Sequence, residues 1–102
     1  MTPPIFFNME RAREFFLQHG YVYTIRHERS TGITWARHGN LFKFELLAKV
    51  QIKKILALSK EAAAAQLAEY VPSSGFGTVQ EWLAAVKRWS NPMVLYRVEV
   101  QK

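Results

Sequence analysis

Residues 41–55 read LFKFELLAKVQIKKI, and the period of this run decides the fold class. Phe42, Phe44, Leu46, Ala48, Val50 and Ile52 alternate with Leu41, Lys43, Glu45, Leu47, Lys49, Gln51 and Lys53. The first set is wholly apolar and the second almost wholly polar, with Leu47 interrupting it. Alternation by two puts successive side chains on opposite faces of a strand; a helix would repeat every three or four residues. The run is more than twice the usual strand length of about 5–6 residues. It therefore predicts a bend, a bulge, or two strands sharing a corner, as in small barrels.

Upstream, the segment YVYTIR from Tyr21 to Arg26 is a shorter strand rich in β-branched and aromatic residues, and Ile33 to Arg37 suits a second one. Before them Ile5-Phe6-Phe7 reads as a short strand or apolar plug. Asn8 is placed to cap a helix running to about His19, where Gly20 supplies the left-handed stop. Met9, Ala12, Phe15, Phe16 and His19 form its apolar stripe. Downstream, Ser59 caps an alanine-rich helix from Lys60 to Tyr70, ended by Val71-Pro72. Ser73-Ser74-Gly75-Phe76-Gly77 reads as a mobile loop with one apolar anchor. Thr78-x-x-Glu81 is a capping box for a last helix with Val79, Trp82, Leu83, Val86 and Trp89 on its buried stripe. Lys87 and Arg88 suit its negative end, and Ser90-Asn91-Pro92 stops it. A final strand runs from Met93 to Val100, with Val94, Tyr96, Val98 and Val100 inward. The expected fold is α+β in one domain, 1–102: a small, mostly antiparallel barrel or strongly curved sheet with about three helices outside.

Composition narrows the chemistry. Half of the residues are apolar, which suits a well-packed core, and the chain has no Cys. Disulfides, thiolate catalysis and Cys-based zinc sites are excluded. The eight acids are all Glu, so a Ser-His-Asp triad is excluded as well. His27 and His38 follow no metal-ligand spacing, no glycine-rich phosphate loop occurs, and no cofactor or metal is expected. No apolar run approaches the ~20 residues that span a bilayer, so the expectation is a cytoplasmic chain without a membrane partner. The formal charge is +6, and the surplus is uneven: seven basic residues against two glutamates lie between Arg26 and Lys54. Such a field favours polyanions.

The stretch from Tyr21 to Asn40, YVYTIRHERSTGITWARHGN, interleaves aromatic and basic side chains. Arg26, Arg29 and Arg37, with Lys43 beyond, are candidates for phosphate contacts. Tyr21, Tyr23 or Trp35 would stack a base, and Thr24 would donate a hydrogen bond to it. The alternative for the same residues is a solvated hairpin whose arginines point at water. An interaction module, marked by an exposed Trp35 or Phe76, is a further one.

The order of elements resembles the ASCH group of the PUA-like β-barrels: a helix, a TIR-ended strand, a basic loop, a long strand, a Gly-Phe loop before an EW-containing helix, and a final LYRVEV strand. That group carries G-x-K-x-x-[ET]-x-R on the equivalent strand. The matching window here is His19-Gly20-Tyr21-Val22-Tyr23-Thr24-Ile25-Arg26, in which Thr24 and Arg26 match, His19 replaces the glycine and Tyr21 the lysine. The resemblance implies RNA or modified-nucleotide binding in a cleft beside the first long strand. It also implies an alternative, an amidohydrolase acting on N4-acetylcytidine through a lysine, a threonine and a glutamate. Thr24 fits the threonine, and Glu81 falls where the glutamate is expected. A tyrosine, with pKa near ~10, is a poor substitute for a catalytic lysine at neutral pH, so binding is the expected function.

Overall fold

The computed structural model describes residues 2–86, 89 and 93–101. The elements are β1 (Ile5–Phe6), α1 (Glu10–His19), β2 (Tyr21–His27), β3 (Gly32–Gly39), β4 (Phe44–Leu58), α2 (Ala63–Leu67), a 3-10 helix (Ala68–Ser73), α3 (Val79–Ala84) and β5 (Met93–Val100). The strands form one sheet in the order β1-β3-β4-β5-β2, in which only the β1–β3 pair is parallel.

The long alternating run is the spine of this sheet. The first part of β4 pairs with β3, from Gly39↔Phe44 to Gly32↔Ile52, and the second with β5, from Val50↔Val100 to Leu58↔Met93. Two register shifts leave Leu47 and Ile55 as extra residues in β4. Each bulge adds local twist, and a sheet bent twice along its central strand curls into a half-barrel. The curl brings the edge strands together: Arg26 on β2 donates from Nη2 to the carbonyl of Phe6 on β1 at 2.7 Å.

The bulge at Leu47 also corrects the reading of the apolar face. An extra residue reverses the parity of everything before it. Leu46 and Phe44 therefore lie opposite Arg37 and Gly39, on the outer face, while Ala48, Val50 and Ile52 point inward. Phe42, Phe44 and Leu46 are exposed although alternation put them on one apolar face with Ala48, Val50 and Ile52, and Leu47 packs against the core instead.

The concave face holds the first core, in which Val22, Ala36, Val50, Ile52, Val94, Tyr96 and Val98 meet Ala12 and Phe16 of α1 with Ile5 and Phe7. The opposite face of β2 and β5 presents Ile25, Met93 and Leu95 to Ala63, Leu67 and Trp82 of the later helices. β2 and β5 are thus sandwiched, while among the described residues the outer face of β3 and of the first part of β4 stays open, with Ile33, Trp35, Phe44 and Leu46 exposed.

Helix ends differ from expectation in instructive ways. Met9 precedes α1 without a side-chain cap. Asn8, expected in that role, instead accepts from Gly39 N at 2.9 Å and donates to Gly39 O at 2.8 Å, extending the β1–β3 pairing by a side chain. Gly20 takes φ 79 and closes α1 onto the Phe16 carbonyl, as read from the sequence. Ser59 Oγ accepts from Ala62 N, but only Ala63–Leu67 is α-helical, and the chain tightens to a 3-10 helix through Pro72. The loop after it is docked, not mobile. Ser74 is fully buried, and a Cβ on Gly75 would lie 2.4 Å from the Arg11 carbonyl, so only glycine permits that approach to α1. Thr78 Oγ1 accepts from Glu81 N at 3.1 Å, the expected cap of α3. Lys87, Arg88 and the Ser90-Asn91-Pro92 stop lie outside the described residues. No helix among the described residues is long and apolar enough to cross a membrane.

Candidate functional site

A cleft of about 430 Å³ opens where the curled sheet fails to close, along the free edge of β2. One wall is Phe6, Phe7, Asn8 and Met9, leading from β1 into α1; the other is Phe76, Trp82, Ala85, Val86 and Met93. Tyr23, Thr24, Ile25, Arg26 and His27 of β2 lie along it. Because β2 is an edge strand, residues from both of its faces reach the cleft, and the result is a mostly apolar hollow with a few polar groups.

Thr24 and Arg26 share the concave face and act together. Arg26 Nε donates to Thr24 Oγ1 at 3.1 Å, and its guanidinium lies over the Phe7 ring, 5.3 Å from the centroid. Burial, with a lesser push from Arg29, lowers the Arg26 pKa to about 10. The group thus stays charged at neutral pH while poorly hydrated. Thr24 is buried, and its hydroxyl, by accepting from Arg26, keeps its own proton for a second partner.

Of the other candidates read from the sequence, Tyr23 lines this cleft, and Tyr21, Arg29, Trp35, Arg37 and Lys43 do not. Tyr21 bonds Ser73 through its hydroxyl at 3.2 Å and packs edge-on against Phe15 and Tyr23. The Tyr23 hydroxyl accepts from Arg97 at 3.0 Å, and its ring rests on Tyr70, so it stiffens the cleft wall as well as lining it. Arg29 serves the chain itself. Its guanidinium donates to the carbonyls of Pro3 and Pro4, and its backbone N–H to the hydroxyl of the fully buried Tyr96 at 2.8 Å. Trp35, Arg37 and Lys43 belong to β3 and the turn that follows it, with Trp35 and Arg37 on the outer face opposite Lys49 and Leu46. Arg37 stacks on Phe44, 4.0 Å from the ring centroid, and its buried Nε makes no hydrogen bond with a described residue.

Glu81 is not among the residues that line the cleft beside Thr24. It pairs with Arg11 and takes a 3.4 Å hydrogen bond from Thr78 Oγ1, and its hydrogen bond with Arg11 is the main cause that lowers its pKa. No described group of three or more His, Cys, Asp or Glu is arranged to hold a metal. The sequence reading missed Trp82, Phe76 and Val86 as walls, because a stripe at helical spacing looks the same whether it meets a core or a cleft. It also missed Arg97 as the orienting partner of Tyr23, since the pair is joined only by the β2–β5 register. No family model, no curated protein and no solved structure matches this chain.

Proposed function

We propose that this chain is an RNA-binding module of the ASCH kind within the PUA-like barrels, taking one base, ordinary or modified, into the cleft along β2. The observation that carries the reading is the convergence of the Thr24 hydroxyl and the Arg26 guanidinium on a hollow walled by aromatic rings. Its volume lies within the range of about 300–1,000 Å³ typical of small-ligand sites. The aromatic and apolar walls suit the faces of a base, and Thr24 and Arg26 offer hydrogen-bond donors for its carbonyl edge. A net charge of +6 draws the phosphates. Binding is preferred to amide hydrolysis because the described lining holds no lysine or carboxylate, and Glu81 is committed to Arg11 and Thr78.

The test is Thr24→Val, which removes the hydroxyl and keeps the shape. Titration of the common ribonucleosides and N4-acetylcytidine, followed by NMR shifts of cleft residues, should show binding by the parent chain. The variant should lose about 2- to 13-fold in affinity, the effect of one hydrogen bond of ~0.5–1.5 kcal/mol. Shifts confined to residues outside the cleft, or affinity indifferent to Thr24, would sink the proposal.

A further inference from the structure

Among the described residues nine large apolar side chains are exposed, and six of them fall between Ile33 and Leu46. That concentration marks the β3–β4 hairpin as a contact surface, since scattered exposure would need no explanation. Its most exposed member is Phe42, 98% accessible at the tip of the turn 40–43.

The turn is held stiffly in the shape that presents this ring. Asn40 N donates to Lys43 O at 2.9 Å, and Asn40 Oδ1 accepts from the backbone N–H groups of Phe42 and Lys43, each at 2.9 Å. Gly39 adopts φ 128, and a Cβ there would come 2.4 Å from the Lys43 carbonyl. Asn8 grips both backbone groups of Gly39, and Asn8 itself lines the cleft. The tip is thereby tied to the cleft's rim.

Charge selects the occupant. Between Ile33 and Lys49 the chain carries Arg37, Lys43 and Lys49 and one acid, Glu45, and the register sets Lys49 opposite Trp35 and Arg37 opposite Leu46. A second copy would bring like charge onto like, whereas a polyanion is drawn in. An aromatic ring presented on a rigid turn beside an ammonium is the arrangement that stacks a base and pairs its phosphate. We infer that the turn 40–43 holds the nucleotide next to the one in the cleft, its base stacked on Phe42 and its phosphate paired with Lys43. This rests on the proposed cleft reading and extends it from one nucleotide to a strand.

The experiment compares free ribonucleosides with a short single-stranded oligouridylate on the parent chain, Phe42→Ala and Lys43→Ala. Both substitutions alter exposed side chains, and circular dichroism checks the fold. Phe42→Ala should weaken oligonucleotide binding on the order of tenfold and leave nucleoside binding unchanged. Lys43→Ala should lower the salt slope of oligonucleotide binding by about one. Nucleoside binding by the parent, with oligonucleotide affinity indifferent to Phe42, overturns this inference alone. Oligonucleotide binding that needs Phe42, without any nucleoside binding, overturns the cleft reading and the two-site arrangement with it. Loss of self-association or of flotation with phosphatidylserine vesicles on Phe42→Ala, with RNA binding intact, assigns the turn to another partner and overturns it too.

Discussion

At the scale of the residue, the two tryptophans 35 and 82 are chemically identical and differ only in surroundings. Trp82 is 3% exposed and stacks on Phe76 at 6.5 Å, between the β2–β5 face and the cleft. Trp35 is 41% exposed on the outer face of β3. Trp82→Ala should cost about 3–5 kcal/mol, since it leaves a cavity that its neighbours cannot fill. Trp35→Ala should stay within about 1 kcal/mol. Urea unfolding of both variants checks the pair, and a large loss for Trp35 would make the open outer face a packed one. The arginines teach the same lesson. Arg26, Arg29 and Arg37 look alike in the sequence, yet one joins the edges of the half-barrel, one pins the N-terminal carbonyls and one lies on a phenyl ring. Which arginine is spare is a property of tertiary neighbours, and no local pattern encodes it.

At the scale of the element, what the sequence displayed was the period of each segment, and what it concealed was the places where the period slips. The long strand read from residues 41–55 is realised from Phe44 onward as β4, and the terminal strand runs from Met93 to Val100 as expected. The bulge at Leu47 was visible only as one leucine on a polar face, and its consequence, three apolar residues turned to solvent, required the register. The later helices are shorter than their stripes, α2 covering Ala63–Leu67 and α3 Val79–Ala84; a short alanine-rich segment buries too little to extend on its own. The Ser74-Gly75-Phe76 loop makes a separate close contact, with α1. Gly75 has φ 90 and lies against the backbone of Arg11 and Ala12. Gly75→Ala should therefore destabilise the chain by about 1–3 kcal/mol from backbone strain alone, and further by pushing the loop off α1. Hydrogen exchange should show the amides of α1 and the 3-10 helix losing protection together. Unchanged protection in α1 would mean that the loop is not what holds the two layers in place.

At the scale of the whole molecule, the sequence separated basic from neutral segments but could not say which cations face outward. Three of the eight residues proposed for nucleic acid, Tyr23, Thr24 and Arg26, meet at one cleft. Trp35, Arg37 and Lys43 gather on the hairpin beyond Asn8, and Tyr21 and Arg29 are occupied by Ser73 and by the N-terminal carbonyls. The alternation of aromatic and basic residues made the segment visible; the fold divided it into two surfaces and a strut. This division yields a prediction in which two arginines of one short stretch behave oppositely. Each phosphate neutralised releases about one counterion, so the logarithm of the binding constant for single-stranded RNA should fall linearly with the logarithm of salt. Arg37→Ala should reduce that slope by about one and leave thermal stability close to the parent's, because its charge lies on the open outer face. Arg29→Ala should keep the slope and lower the melting temperature, because it frees the carbonyls of Pro3 and Pro4. Filter-binding over a salt series and thermal melts of the two variants decide the matter. If Arg29→Ala lowers the slope while the fold holds, its guanidinium leaves the N-terminal segment for phosphate. The basic loop and the hairpin would then act as one continuous surface, with no strut between them.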